Sequence, residues 1–262
     1  ELGSEDVSNG TFELGSEIIV DGNFPLGTSA WSPSASGITF GDGFVNILKE
    51  SGSGSTDAYI YQDILQASKS YKVVFSGVIT SGTLFFGVNG DTAAQKRFTA
   101  GTYSNESFVF TASAALFQIR NPNTGSTINA TITNVSVKEF TDWIVQQPSG
   151  QVVNVANNQV SINYSSSQTQ GSTGISQTVF TNNKTYETTI DVASVTGTFK
   201  VQAGNVNHVI TTAGVKTFTN KATDTALFIV RNSNSVSFEA TINSVSVKEV
   251  FPDWIIGNAD AT

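Results

Sequence analysis

The stretch ATITNVSVKE at residues 130–139 returns almost letter for letter as ATINSVSVKE at 240–249, and each copy is followed within a few residues by Asp-Trp. In both copies the apolar positions change phase partway. Ala130 and Ile132 stand two apart, the next apolar residues Val135 and Val137 are out of step with them, and Ala240, Ile242, Val245 and Val247 repeat the slip. Apolar residues at every second position mark a strand with one buried face, and a one-residue slip inside such a run predicts a β-bulge or a bend around a corner. The chain therefore reads as one all-β unit written twice.

Outward from this ending the repeat continues. Trp143 follows Trp31 by 112 residues and Trp254 follows Trp143 by 111. A shift of 115 places Ile60–Ile64 on Ile175–Val179, Lys69-Ser70-Tyr71 on Lys184-Thr185-Tyr186, and Gly82-Thr83 on Gly197-Thr198. Nearer the end a shift of 111 pairs Ala115-Leu116-Phe117 with Ala226-Leu227-Phe228, and Arg120-Asn121 with Arg231-Asn232. Changes of shift fall between matched blocks, where loops belong. A unit this long is a whole domain rather than a solenoid repeat. The expected division is a lead-in at 1–20, one module at 21–140, a second at 141–251, and a stub at 252–262 that begins a third unit or is an exchanged strand.

No segment sustains the apolar spacing of a helix. In the first module Tyr71, Val73 and Phe75 alternate with polar neighbours, as Tyr186, Thr188 and Ile190 do in the second. Leu84, Phe86 and Val88 match Phe199, Val201 and Ala203. Phe117 and Ile119 are matched, at the shift of 111, to Phe228 and Val230. Ile38–Phe40 and Phe44–Ile47 around Gly41-Asp42-Gly43 read as a hairpin, repeated at Val153–Val155 and Gln159–Ile162 with Asn in place of Gly. Roughly eight or nine strands per module imply two tandem antiparallel β-sandwiches of jelly-roll type.

Composition narrows the function. Only 13% of the 262 residues are charged and the net charge is −8, so DNA or RNA would be repelled. There is no cysteine, and no apolar run approaches the ~18 residues of a membrane span. With Glu at position 1 and no methionine, the sequence is expected to be a processed chain or part of a longer one. His208 is the lone histidine and reads as a loop residue near Asn205 and Asn207. With no nucleophile elbow and no repeated carboxylate pair, the expectation is a protein that is not an enzyme.

Asn9-Gly10-Thr11-Phe12-Glu13, Asp21-Gly22-Asn23-Phe24 and the downstream Trp31 resemble the opening of jelly-roll carbohydrate-binding modules of the family 4/9 (cellulase C-like) type. Gln62 before Tyr71, Gln177 before Tyr186, and the NVSVKE ending resemble that family's middle and closing strands. The ELGSE lead-in, present at 1–5 and 13–17, is similar to modules of phage structural proteins. The resemblance implies a glycan-binding fold. It also implies a structural calcium, but Thr133, Asn134, Asn243 and Ser244 stand where the acidic ligand would be, so no metal and no cofactor is expected. The second module lacks the N-G-x-F opening and starts directly at Phe140-Thr141-Asp142-Trp143, which suggests a stiff joint.

Sugars stack on exposed aromatic rings flanked by amides and arginine. Tyr59, Tyr61 and Phe85 occupy the alternation phase opposite to core residues Ile60, Ile64, Leu84 and Phe86, and so are expected to face outward. Gly174, Ser176 and Lys200 replace them in the second module. Arg120 and Arg231 are expected on the outward phase, and Gln62 and Gln177 on the inward one, tying down a backbone edge or meeting a sugar. Tyr59, Tyr61, Phe85, Gln62 and Arg120 are thus the candidate carbohydrate contacts, with no catalytic or metal residue. The reading is a structural and interaction protein of a phage virion exterior, such as a fibre, stalk or decoration, with glycans as a candidate ligand. Two alternatives stand beside it: a secreted or cell-surface glycan-binding module of a bacterial polysaccharide-active or adhesive protein, and an extracellular filament subunit. Expected partners are other copies of the chain, other virion or surface proteins, and glycans, without nucleic acid or membrane insertion.

Overall fold

The computed structural model describes residues 2–26, 30–34, 37–50, 57–121, 127–146, 152–166, 173–233 and 235–251. The expected stub, with Trp254, lies outside the described residues. Among them there is no helix. The first ten strands are β1 (Leu2–Glu5), β2 (Leu14–Glu17), β3 (Ser32–Pro33), β4 (Ile38–Gly41), β5 (Phe44–Lys49), β6 (Tyr59–Asp63), β7 (Ser70–Gly87), β8 (Gln95–Thr111), β9 (Leu116–Arg120) and β10 (Ile128–Phe140). The next ten are β11 (Ile144–Gln146), β12 (Val152–Ala156), β13 (Gln159–Tyr164), β14 (Gly174–Thr178), β15 (Thr185–Thr196), β16 (Phe199–Ala203), β17 (Val206–Ile210), β18 (Gly214–Lys221), β19 (Ala226–Arg231) and β20 (Phe238–Val250).

All pairings are antiparallel, and the result is two tandem β-sandwiches. In the first, the strands run β3-β6-β9-β7-β10-β5-β4, with β8 on β7 and β2 on β10. Strand β7 serves both layers, since its first part pairs with β10 and its last with β9. In the second sandwich the equivalent run is cut into β15 and β16, giving separate sheets β12-β13-β20-β15-β18 and β11-β14-β19-β16-β17. The corner is the same in both. Gly82 inside β7 and Gly197 at the cut have φ of +83° and +77°, and a Cβ there would lie 2.3 Å from the Thr127 oxygen and 2.4 Å from the Ser237 oxygen. Only glycine bends the strand there without strain.

The phase slip in the repeated ending is a bulge in both copies. On β10 the register to β7 shifts between Ile132 and Asn134, and on β20 the register to β15 skips Asn243. Ala130, Ile132, Val135 and Val137 are all buried, as are Ala240, Ile242, Val245 and Val247. The extra residue turns the second half of the strand so that both halves feed one core. Both hairpins form as expected. Gly41 pairs with Phe44 around Asp42-Gly43, and Ala156 pairs with Gln159 around Asn157-Asn158, whose φ values of 54° and 57° suit a type I′ turn.

One expected match is displaced. The Gln62–Phe117 pair corresponds to Gln177–Leu227, and the Ala115 oxygen, which accepts from Ile64 and Leu65, corresponds to the Thr225 oxygen, which accepts from Val179 and Phe180. The structural shift is therefore 110, not 111. Leu227 and Ile229 are core residues, whereas Phe228 is half-buried on the other face. Val230 stands at Arg120's place, and Arg231 takes that of Asn121. A one-residue slip exchanges the faces of a whole strand, so identical letters lost to the pleat.

The lead-in is shared between the two cores. Ile19 and Phe24 belong to the cluster that includes Trp31, while Val7 and Phe12 belong to the cluster that includes Trp143. Strand β2 pairs with β10, and β1 crosses to pair with β20. Residues 2–12 thus supply the second sandwich with the opening that its own local sequence lacks. The two copies repeat contact for contact. Trp31 Nε1 donates to the Asp21 oxygen at 3.1 Å and Trp143 Nε1 to the Asn9 oxygen at 3.0 Å. Val135 N donates to Gly22 O at 2.8 Å and Val245 N to Gly10 O at 2.9 Å. The carboxylates of Glu17 and Glu5 accept from Val137 N and Val247 N, each at 2.6 Å. The sandwiches also touch directly, as Lys72 Nζ donates to the Val155 oxygen and Thr111 Oγ1 to the Val145 oxygen at 2.8 Å.

Candidate functional site

The core-facing residues Ile60, Ile119 and Phe86 lie in register across β6, β9 and β7. Alternation then puts Tyr59, Arg120 and Phe85 in one row on the opposite face, and Tyr61, Gln118 and Gly87 in the row beside it. Four of the candidate carbohydrate contacts are thereby brought together. Strands β6 and β7 are not neighbours, and β9 between them inserts Arg120 into the aromatic row.

Arg120 organises this face. Its guanidinium carbon sits 5.2 Å from the Tyr59 ring centroid and 5.5 Å from that of Phe85, and it forms an ion pair with Asp57, both side chains being only 11% exposed. Nη1 reaches Gln118 Oε1 at 3.5 Å. Burial lowers the Arg120 pKa from its ordinary value, but a guanidinium keeps its charge at any accessible pH. A cation this far from water is held by a carboxylate and two ring faces.

Phe85 needs correction. It points away from the core as expected, yet it is 2% exposed, because Arg120 lies over its ring. A covered ring gives a sugar no stacking face. Gln62 is also corrected as a sugar contact. Its Oε1 accepts from Val20 N at 3.1 Å and its Nε2 donates to Val20 O at 2.6 Å, so it ties the lead-in to β6. Gln177 does the same for Ser8, at 3.0 and 2.9 Å. Tyr59 and Tyr61 keep part of their surface, with ring centroids 5.9 Å apart and planes tilted by 43°.

On this face of the sheet the structure adds residues that sequence reasoning missed. Gln118 shares the phase of Arg120, so its alternation against Phe117 and Ile119 was a usable signal. Asp57, Gln95 and exposed Arg97 carried none, since Gln95 and Arg97 reach the face only through pairing with Gly87 and Phe85. Asp57 Oδ1 and Gln95 Oε1 are buried acceptors with no hydrogen-bond partner among the described residues. The second sandwich offers Gly174, Ser176, Phe228, Val230, Lys200 and Gln202 on the matching face, without tyrosine or arginine. Arg231, expected outward, instead covers the Tyr164 ring at 5.2 Å.

His208 lies in β17 rather than in a loop and stacks on Phe218, with centroids 3.8 Å apart and planes at 17°. Burial lowers its pKa, while a hydrogen bond with Asn220 acts in the opposite sense. At the closing-strand positions implied for calcium, Thr133 Oγ1 donates to Ser76 O at 3.2 Å, and the Asn243 amide is held between Gln159 and Asp191. Among the described residues no group of three or more His, Cys, Asp or Glu side chains could hold a metal ion.

No family model matches this chain, and no curated protein does. Among solved structures it is similar to the CBM22-1–CBM22-2 tandem domain of Paenibacillus barcinonensis Xyn10C, at 8% identity and a TM-score of 0.33, covering 90% of this chain and 98% of that one. It is similar to the second N-terminal cellulose-binding domain of Cellulomonas fimi β-1,4-glucanase C, at 19% identity and a TM-score of 0.35, covering 47% and 95%. It is also similar to a protein of Sulfolobus Turreted Icosahedral Virus, at 15% identity and a TM-score of 0.30, covering 79% and 61%.

Proposed function

We propose that this chain is a non-enzymatic binding and structural protein whose first sandwich contacts glycans through Tyr59 and Tyr61. The observation that carries the reading is the outer face of β6-β9-β7, where two partly exposed phenol rings stand beside a fixed guanidinium. Sugar C–H faces stack on such rings. Arg120 holds the tyrosine row in place instead of leading the contact. The setting we propose is an extracellular or virion surface, in a fibre, stalk or decoration built with other copies or other surface proteins. The shared lead-in supports that structural side, because it locks the two sandwiches to one another. A secreted glycan-binding module is the second reading, favoured by the same tyrosine face.

A glycan array followed by affinity electrophoresis tests the reading. The chain is expected to retain one class of polysaccharide, with Tyr59→Ala and Tyr61→Ala each weakening retention at least about tenfold, a loss of ~1.4 kcal/mol. Phe85→Ala should act mainly through stability. Retention that survives both tyrosine substitutions, or no retention of any glycan, would remove the glycan role.

A further inference from the structure

We infer that Asn89-Gly90, at the tip of the loop joining β7 to β8, is a site of spontaneous modification to an aspartyl or isoaspartyl linkage in the folded protein, and that the fold protects Asn9-Gly10, the same dipeptide. The inference concerns main-chain chemistry and stands whether or not Tyr59 and Tyr61 meet a glycan.

Asparagine is chemically labile, and most so before glycine, where no Cβ shields the following nitrogen. That nitrogen attacks the asparagine Cγ. The new N–Cγ bond closes a succinimide ring, the Cγ–Nδ2 bond breaks, and ammonia leaves with the proton of the attacking amide. Water, the only co-reactant, then opens the ring at one of its two carbonyls, giving the aspartyl or the isoaspartyl form. The rate in a folded chain depends on how freely Cγ reaches the nitrogen. The sequence holds Asn-Gly twice, at 9–10 and at 89–90, and local letters do not rank them.

The structure separates the two. Asn9 Nδ2 donates to the Glu13 oxygen at 2.8 Å and to the Thr141 oxygen at 3.1 Å, and its Oδ1 accepts from Glu13 N at 2.6 Å. The main chain there is held as well, since Asn9 O accepts from Trp143 Nε1 at 3.0 Å and Gly10 O from Val245 N at 2.9 Å. Gly10 has no room to shift toward β20, because a Cβ on it would lie 2.2 Å from the Val245 oxygen. Swinging the Asn9 amide onto Gly10 N breaks three side-chain hydrogen bonds, which slows ring closure by roughly a hundredfold. A carboxylate at position 9 would also face the Glu13 and Thr141 oxygens with no proton to offer them.

None of these restraints acts on Asn89-Gly90. Both residues are exposed, and the Asn89 amide has no hydrogen-bond partner among the described residues. A Cβ on Gly90, where φ is +84°, would meet nothing within 4 Å. The rest of the loop is fastened without them. Val88 N donates to Ala94 O at 2.8 Å, and Asp91 Oδ1 accepts from Ala93 N at 2.9 Å and from Ala94 N at 3.3 Å. The tip can therefore take up the ring, and the extra main-chain carbon of the isoaspartyl form, while β7 and β8 stay paired.

The full chain is kept folded in mildly alkaline buffer at body temperature, beside a sample held unfolded in guanidinium chloride. Peptide mass spectrometry and enzymatic methyl transfer to isoaspartyl carboxylates follow both samples. In the folded chain Asn89 is expected to convert roughly a hundredfold faster than Asn9, and in the unfolded chain the two should convert at similar rates. Asn89→Gln should remove the methyl-acceptor signal from the folded chain, because glutamine must close a larger and slower ring. Conversion of Asn9 as fast as Asn89 in the folded chain overturns the inference. So does a folded chain that leaves Asn89 intact while the unfolded sample converts it.

Discussion

Gly10 and Gly22 lie against closing strands so tightly that an added Cβ would come within 2.2 and 2.0 Å of the carbonyl oxygens of Val245 and Val135. Main chain cannot retreat as a flexible side-chain end can, so the strand must shift. Gly10→Ala and Gly22→Ala are each expected to cost about 1–3 kcal/mol, the scale of overpacking, and urea denaturation measures it. An unchanged midpoint in both would show that the approach is looser than described. At this scale the sequence was legible in orientation and opaque in partnership. The alternation that placed Gln62 inward was correct, yet nothing beside Gln62 in the chain names Val20, its partner 42 residues away. The outward phase of Phe85 was likewise legible, and its cover was not, because Arg120 arrives from another strand.

Elements were read well where the signal is periodic. The bulges in β10 and β20 and the two hairpins follow from residues within a few positions of each feature, whereas Gly82 and Gly197 were legible only as matched letters and the structure makes them corners. The match of β9 to β19 failed because Arg-Asn recurs at a shift of 111, while the pairing of Gln177 with Leu227 sets 110. Letter identity is one-dimensional, and the pleat decides which letters face inward. The bulge gives this rule a direct test. Deleting Thr133, the residue that β10 inserts between Ile132 and Asn134, leaves Ile132 and Val135 two positions apart, so both halves keep their inward face and the register to Gly77, Ser76 and Phe75 runs on without a shift. The deletion is expected to keep cooperative unfolding and near-ultraviolet circular dichroism, whereas an alanine inserted between Asn134 and Val135 should abolish both. An insertion variant that unfolds as cooperatively as the parent would mean that the bulge is not what aligns the two halves.

Across the whole molecule the chain closes on itself over 242 residues, from Glu5 to Val247, so that its start completes its second half. Phe12→Ala and Phe24→Ala are chemically the same change 12 residues apart, each expected to cost about 3–5 kcal/mol by emptying a filled core. Hydrogen exchange separates them. Phe12→Ala should release protection chiefly at Val245 and Val247, and Phe24→Ala chiefly at Val135 and Val137. The reverse pattern, or equal release in both strands, would contradict the division of the lead-in. By itself the sequence determined what local periodicity can encode: all-β structure, which face of most strands is apolar, where strands bend, and that the unit occurs twice. Only the tertiary structure decided which lead-in copy serves which sandwich, because strand pairing joins residues without regard to their separation along the chain. The same reason explains why Asp57, Gln95 and Arg97 share one sheet face with the tyrosines: a sheet face is composed by neighbours in space, and its register exists only once the strands have met.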